Sequence, residues 1–305
     1  MIVYGIVVRI TSTIRTLACA IAVGLAGPSA RTSAQSPPAP DTDARFSASI
    51  GYEVHRDRMH YGFENPSNID TPFLVPHRFD QTYVADNQWL VASMRYRIFG
   101  DIMQTDVGVT PIRATTASDL DTFYDPDDDV VVSGTSGDVS MHSFRVAQWS
   151  EARFWGLPWR AGYVYRGDFT EFHSIERLLT HSRPPSESRT PINTHETTIS
   201  RVQEIALGVS KPFATAGGWQ LTAGADLAPI ASATLTTRLP EKYPGVDIDF
   251  RAYVGTLSAH AEARGRIAGW PVTVRVAYGR TWSYRESEQL DRRTFQAGIR
   301  AAVRK

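Results

Sequence analysis

The chain reads as all-β: a ten-stranded, antiparallel, up-and-down transmembrane β-barrel of a bacterial outer membrane. Three observations predict this. Apolar and polar residues alternate with period two, as in Trp270, Val272, Val274, Val276 and Tyr278 against Thr273, Arg275, Ala277 and Gly279, the pattern of a sheet with two chemically different faces. Very short connections alternate with long polar ones, and the chain opens with an export signal. Within lipid only a closed sheet satisfies all of its backbone hydrogen bonds, so the alternating strands must form a barrel.

The leader comes first. Arg9 and Arg15 precede an uncharged stretch from Thr16 to Gly27, and Thr32-Ser33-Ala34 has the small residues a signal peptidase accepts. Cleavage is expected after Ala34, giving a signal peptide at 1–34, a periplasmic N-terminal linker at 35–44 and the barrel at 45–305. The stretch is shorter than the roughly 20 residues that span a bilayer as a helix, which argues against an anchor. A lipoprotein reading through Cys19 is weaker still, because Thr16 stands where a large aliphatic residue is expected. Cys19 is the chain's one cysteine and leaves with the leader, so thiol chemistry is excluded from the mature protein. The leader also removes Arg9, Arg15 and Arg31 from 32 basic residues and nothing from 32 acidic ones, leaving a net charge of −3. That balance supplies no phosphate-tracking surface, and nucleic acid is not an expected partner.

Ten strands follow. The first runs near 46–55 with Phe46, Ala48, Ile50, Tyr52 and Val54 on its apolar face, and the second near 89–99 with Leu90, Ala92, Met94, Tyr96 and Ile98. Phe99-Gly100-Asp101 is short enough to join it to an antiparallel third strand carrying Met103, Val107 and Val109. Pairs near 138–154 and 157–172, 197–212 and 218–235, and 248–267 and 270–285 meet at equally short turns. The tenth, near 293–303, carries Phe295, Ala297, Ile299 and Val303 opposite Arg300. An even count puts both termini on the periplasmic side. The long connections, near 56–86, 115–137, 173–196, 236–247 and 286–292, would then be extracellular. Trp155, Trp159, Trp219, Trp270, Trp282 and Tyr284 lie near strand ends, where amphipathic rings favour the bilayer interface. A secreted β-sandwich would also alternate, but the strand length and the regular short and long connections oppose it.

The polar faces give the interior. Glu53, Arg95, Arg97, Asp106, Arg160, Arg166, Asp168, Asp226, His260, Glu262, Arg264, Arg266, Arg275 and Arg300 fall on inward register positions. Opposite charges facing one another in a narrow lumen would neutralise each other, so a packed network is expected rather than an open pore. His260 reads as one of its hydrogen-bonding members.

The second long connection holds Asp119-Leu120-Asp121, then Asp125 and Asp127-Asp128-Asp129. Two carboxylates one residue apart at a barrel mouth could share a proton, position a water as general base or hold a hard cation. An acidic loop is also a common solvated surface. Asp119 and Asp121 are therefore candidate catalytic residues only if the protein is an enzyme.

Strand order and loop lengths resemble those of the omptins, ten-stranded outer-membrane endopeptidases. The resemblance is clearest at Trp89 to Phe99 leading into Asp101 to Ala114, at Asp119-Leu120-Asp121-Thr122-Phe123-Tyr124-Asp125, and at Ala297-Gly298-Ile299-Arg300. It implies that Asp119 and Asp121 would face an Asp-x-His pair on the fourth long connection and activate a water with it. Here that segment reads Ala231-Ser232-Ala233-Thr234-Leu235-Thr236-Thr237-Arg238-Leu239, with Leu235 and Thr237 at the aligned positions. Neither is a proton acceptor at neutral pH. Asp247 and Asp249 begin the return strand without a nearby histidine; His173, His181 and His195 are left as mouth or exposed-loop residues.

The resemblance also implies lipopolysaccharide on basic residues of the outer wall. Arg280, on the outward register between Tyr278 and Trp282, is the candidate lipid contact, either to a phosphate or by snorkelling to water. No cofactor or metal is expected, and lipopolysaccharide is the bound lipid the resemblance suggests. Two functions stay open: a catalytically degenerate barrel whose extracellular side binds a peptide or surface ligand, and an endopeptidase using Asp119 and Asp121.

Overall fold

The structure is a computed structural model that describes residues 46–65, 77–110, 113–124, 130–154, 157–241, 244–245, 247–285 and 288–303. The expected leader, cleavage site and linker, and the turn residues Trp155 and Gly156, lie outside the described residues. Eleven strand segments follow in order: β1 Phe46–Asn65, β2 His77–Ile98, β3 Asp101–Val109, β4 Arg113–Tyr124, β5 Val130–Phe154, β6 Leu157–Ser182, β7 Pro185–Ala216, β8 Trp219–Arg238, β9 Asp247–Ile267, β10 Trp270–Ser283 and β11 Glu288–Val303. All pairings are antiparallel, and β1 joins both β2 and β11, which closes the ring. β3 and β4 both lie between β2 and β5, one continuing the other. They share one place, so the barrel has ten staves, as the sequence predicts. At the tight turn between β7 and β8, Gly217 and Gly218 take φ of 57° and 79°, which matches a two-residue hairpin that needs two left-handed residues.

The strands are longer than the sequence predicts. About 9–11 residues cross a bilayer as a tilted strand, whereas β6 has 26 and β7 has 32. The connections expected at 56–86, 115–137 and 173–196 are largely strand: β1 continues to Asn65, β4 and β5 fill most of the second, and β6 and β7 run to Ser182 and from Pro185. The reason is a reversal of face. In the lower half, Ile50 and Tyr52 on β1, Leu90 and Met94 on β2, Phe144 and Val146 on β5, and Tyr163 and Phe169 on β6 are exposed on the outer wall. Higher on the same strands the apolar residues change parity and turn inward: Met59 and Tyr61, Tyr83 and Ala85, Val139 and Met141, and Phe172 are all buried. The outward positions there become Arg56 and Arg58, Asp86, Asp138 and Glu171. The exposed apolar band is the part that faces lipid; above it the wall is wet outside and oily inside, as in a soluble barrel. On β1 and β2 the one-residue phase shift interrupts the alternation in sequence but not the ladder, whereas on β7 to β9 register shifts at Ile205/Leu207 and Ala228/Ala231 accompany the change of face.

The lumen is consequently tiered. In the lower tier Asp57 is ion-paired with Arg166 at 3.3 Å and Arg292 at 3.0 Å, and Arg292 reaches Asp168 at 2.6 Å. Glu53 pairs with Arg300, Arg95 with Glu151, and Arg160 grips Asp226 through both carboxylate oxygens. Glu262 takes Arg264 at 2.8 Å, with Arg275 at 3.8 Å. Ser93 donates to Asp106. Two tryptophans that the sequence left on no face, Trp89 and Trp149, are buried in the lumen beneath Arg166 and Arg160, with guanidinium-to-ring distances of 5.3 and 4.3 Å. Most of the residues expected inward join this network; Arg97 and Arg266 are exposed at the periplasmic end. Asp57 and Arg292 were outside the shorter predicted strands and turn out to be central. His260 lies beside Asp226, at 3.7 Å.

Candidate functional site

Above the apolar tier the barrel opens into a polar mouth. The peptide planes of β4 place Asp119 directly across from Gln81 on β2 and Thr135 on β5, and Asp121 across from Phe79 and Ser133. Gln81, Ser133 and Thr135 are buried, and directly opposed residues of antiparallel strands share a face. By register Asp119 therefore stands in one row with Gln81 and Thr135, and Asp121 in one row with Ser133. They were expected in a loop; they belong to a strand, because the ladder between β2 and β5 continues through them.

Facing these rows from β7 is Glu196, a buried carboxylate that accepts a 3.4 Å hydrogen bond from Gln81 Nε2. Arg177 on β6 shares the row of Thr135 and hence of Asp119, and its Nε has no hydrogen-bond partner among the described residues. Neither residue was singled out in the sequence. Both lie where a loop was expected, and only the register between β5, β6 and β7 brings them to the mouth.

The floor of the mouth is apolar. A cavity of about 20 Å³, room for one water, is lined by Tyr61, Gly62, Gln81, Thr198, Leu235, Thr237, Ile248 and Phe250. Leu235 is buried in the apolar cluster, with Phe250 packed against it, while Thr237 Oγ1 lies 3.1 Å from Thr198 Oγ1. The two positions that would hold an Asp-x-His pair thus build a greasy floor and a hydroxyl contact.

The remaining candidates separate. Asp247 accepts two hydrogen bonds from Arg238, at 2.7 and 2.8 Å, and the guanidinium holds its carboxyl below the usual range. Asp249 accepts from Thr236. His173 and His195 alternate with the buried Phe172, Ser174 and Glu196 and so stand on the outer wall. His181 pairs with Val131, itself paired with Phe123, two residues from Asp121. Arg280 is on the outer wall as expected but is already partnered, donating to both oxygens of Asp291 at 3.0 and 3.1 Å; Arg293 reaches the same carboxylate at 3.2 Å. Arg293 is the register partner of both Arg280 and Arg58. A row of three arginines therefore crosses β10, β11 and β1 just above Tyr278 and Phe295, two of them on one acid.

The closed ring and its apolar outer band define a transmembrane β-barrel of the outer-membrane kind. Among solved structures, the chain is similar to the outer membrane protease OmpT from Escherichia coli, with a TM-score of 0.60 and 9% identity over 88% of this chain and 100% of that one. It also matches the translocator domain of the autotransporter NalP from Neisseria meningitidis, at 12% identity over 84% and 88% of the two chains, with a TM-score of 0.33. The β domain of the Bordetella autotransporter BrkA gives 11% identity over 82% and 98%, with a TM-score of 0.31. The first likeness shows a shared fold; the other two are too loose to carry an argument. No protein-family model matches the chain, and no curated protein matches it in sequence.

Proposed function

We propose that this protein is an omptin-like outer-membrane barrel that has lost, or never had, peptidase chemistry, and that its tall extracellular wall and polar mouth bind an extended peptide or cell-surface ligand. The observation that carries this reading is the floor of the mouth: Leu235 is sealed in apolar packing and Thr237 is paired with Thr198, so neither position can take a proton from water. Asp119 and Asp121 without such a partner can hold a water but lack a group to protonate a leaving amine. General acid-base assistance of that kind is worth ~10²–10⁴-fold in rate.

Lipopolysaccharide is the bound lipid that fits best. Arg280 alone is neutralised by Asp291, but Arg58, Arg293 and Arg280 together exceed that single carboxylate and could take a lipid phosphate as well.

A second reading is favoured by one feature. Glu196 is a buried carboxylate that reaches Gln81, the register partner of Asp119, and could serve as the missing acid-base group of an endopeptidase. The deciding experiment supplies lipopolysaccharide and peptides bearing paired basic residues to the refolded protein. The degenerate reading predicts no cleavage above background and almost no change in barrel stability on replacing Asp119 and Asp121 together with alanine. Robust cleavage abolished by that double substitution, or by Glu196→Gln, would establish the peptidase instead.

A further inference from the structure

The outer wall of β6 and β7 carries a constellation that neither the lumen nor the mouth uses. His173 and His195 are direct cross-strand partners, their rings parallel within 7° and 4.6 Å apart at the centroids. They stand above the lipid band, two outward positions beyond Phe169, an exposed apolar residue of β6. We propose that these two imidazoles form a chelate for a borderline-soft divalent metal ion of the Zn²⁺ or Cu²⁺ class, clipping the β6–β7 hairpin on its extracellular face.

The surroundings set each ring for this role. His173 Nε2 lies 2.6 Å from Asn193 Oδ1, and His195 Nδ1 lies 3.6 Å from Glu241 Oε1, while the other oxygen of Glu241 accepts from the His195 backbone N–H at 3.2 Å. Asn193 Oδ1 accepts from His173 Nε2–H and leaves the lone pair on Nδ1, while the carboxylate of Glu241, just beyond hydrogen-bond distance of His195 Nδ1, favours a hydrogen on that nitrogen by its charge and leaves Nε2 for the metal. This is the outer arrangement that metal-binding histidines commonly have. Metal–nitrogen bonds of ~2.0–2.1 Å require the two lone pairs to close from the stacked separation, a movement that falls to the half-exposed side chain of His195. Asp138, the register partner of His173 on β5, and Glu171 are exposed nearby and favour a cation.

Among the described residues no three His, Cys, Asp or Glu side chains are gathered closely enough to hold an ion. The protein therefore supplies two nitrogens and solvent completes the sphere. The site is open and exchangeable, and its affinity falls with acidity because both ligands must be unprotonated.

The test uses the refolded mature barrel in detergent, without a polyhistidine tag. Cu²⁺ is titrated with electron paramagnetic resonance as the readout, and Zn²⁺ competition is followed by calorimetry. One equivalent should bind with superhyperfine structure from two nitrogens, and Zn²⁺, which nitrogen sites hold less tightly than Cu²⁺, should compete for the same site only in large excess. His173→Ala and His195→Ala should each remove one nitrogen and weaken binding more than tenfold. Glu241→Gln should weaken it by about tenfold, in the range seen on loss of an outer partner. His142→Ala, at an exposed outward position on β5, should change nothing. Heat-modifiable gel mobility confirms that each variant is folded. Absence of one-to-one binding, or binding indifferent to both His173→Ala and His195→Ala, would reduce the pair to a stacked contact and overturn the proposal.

Discussion

The lower and upper halves of this barrel follow opposite rules. In the lower half the wall is apolar outside and the lumen is a lattice of arginines and carboxylates around Asp57, Asp168 and Asp226. In the upper half the wall is polar outside and the lumen is filled by Met59, Tyr61, Tyr83, Phe172 and Leu235. The same strands serve both halves, and the switch needs only one residue of phase, as between Tyr52 and Met59 on β1. Apolar side chains go wherever water is absent: toward lipid where there is lipid, and toward each other where there is none. The mouth lies on top of the second regime, so its floor is a packed hydrophobic core.

Breaking the lower tier should have the largest effect. Asp57→Ala leaves Arg166 and Arg292 sharing Asp168 alone, and loss of one partner from a buried ionic network costs ~3–5 kcal/mol. Urea unfolding in micelles, followed by gel mobility, measures this; a change below ~1 kcal/mol would mean the tier is hydrated rather than packed. Breaking the upper tier is next. Leu235→Ala on β8 should cost ~2–5 kcal/mol through the cavity it opens, whereas Leu227→Ala, exposed lower on the same strand, should cost clearly less in detergent. Equal losses would remove the distinction between the tiers. Closure of both tiers predicts no steady porin-like current in planar bilayers, and large stable channel steps would show an open lumen. The smallest effect belongs to the outer wall: Arg280→Ala should change stability by no more than ~0.5 kcal/mol, since exposed ion pairs contribute little, while the combined loss of Arg58, Arg280 and Arg293 should reduce lipopolysaccharide retention on purification.

What was legible in the sequence divides at the same boundary. Ile50, Met94, Phe144 and Ile299 alternate cleanly because lipid lies on one side and charge on the other, so strand count, tight turns and most of the ionic lumen could be read directly. Above the lipid, Glu171 and His173 lie outward while Phe172 and Ser174 lie inward, and their polarity no longer distinguishes a strand from a loop. That is why Asp119 and Asp121 were placed in a connection and why Asp57, Arg292, Arg177 and Glu196 were missed. Arg280 lies in the outward row of β10, but its pairing with Asp291 depends on the register of β10 against β11, which sequence spacing does not determine.

The reversal of face is tested most directly by spin labels placed one at a time along β6 of the mature barrel in lipid vesicles, at Tyr163, Phe169, Glu171 and His173. The mature chain is expected to lack cysteine, so each label is unique. Labels at Tyr163 and Phe169 should relax with lipid-soluble oxygen, and those at Glu171 and His173 with a water-soluble nickel complex, the change falling between 169 and 171. Oxygen-dominated relaxation at all four positions, or nickel-dominated relaxation at all four, would contradict the account.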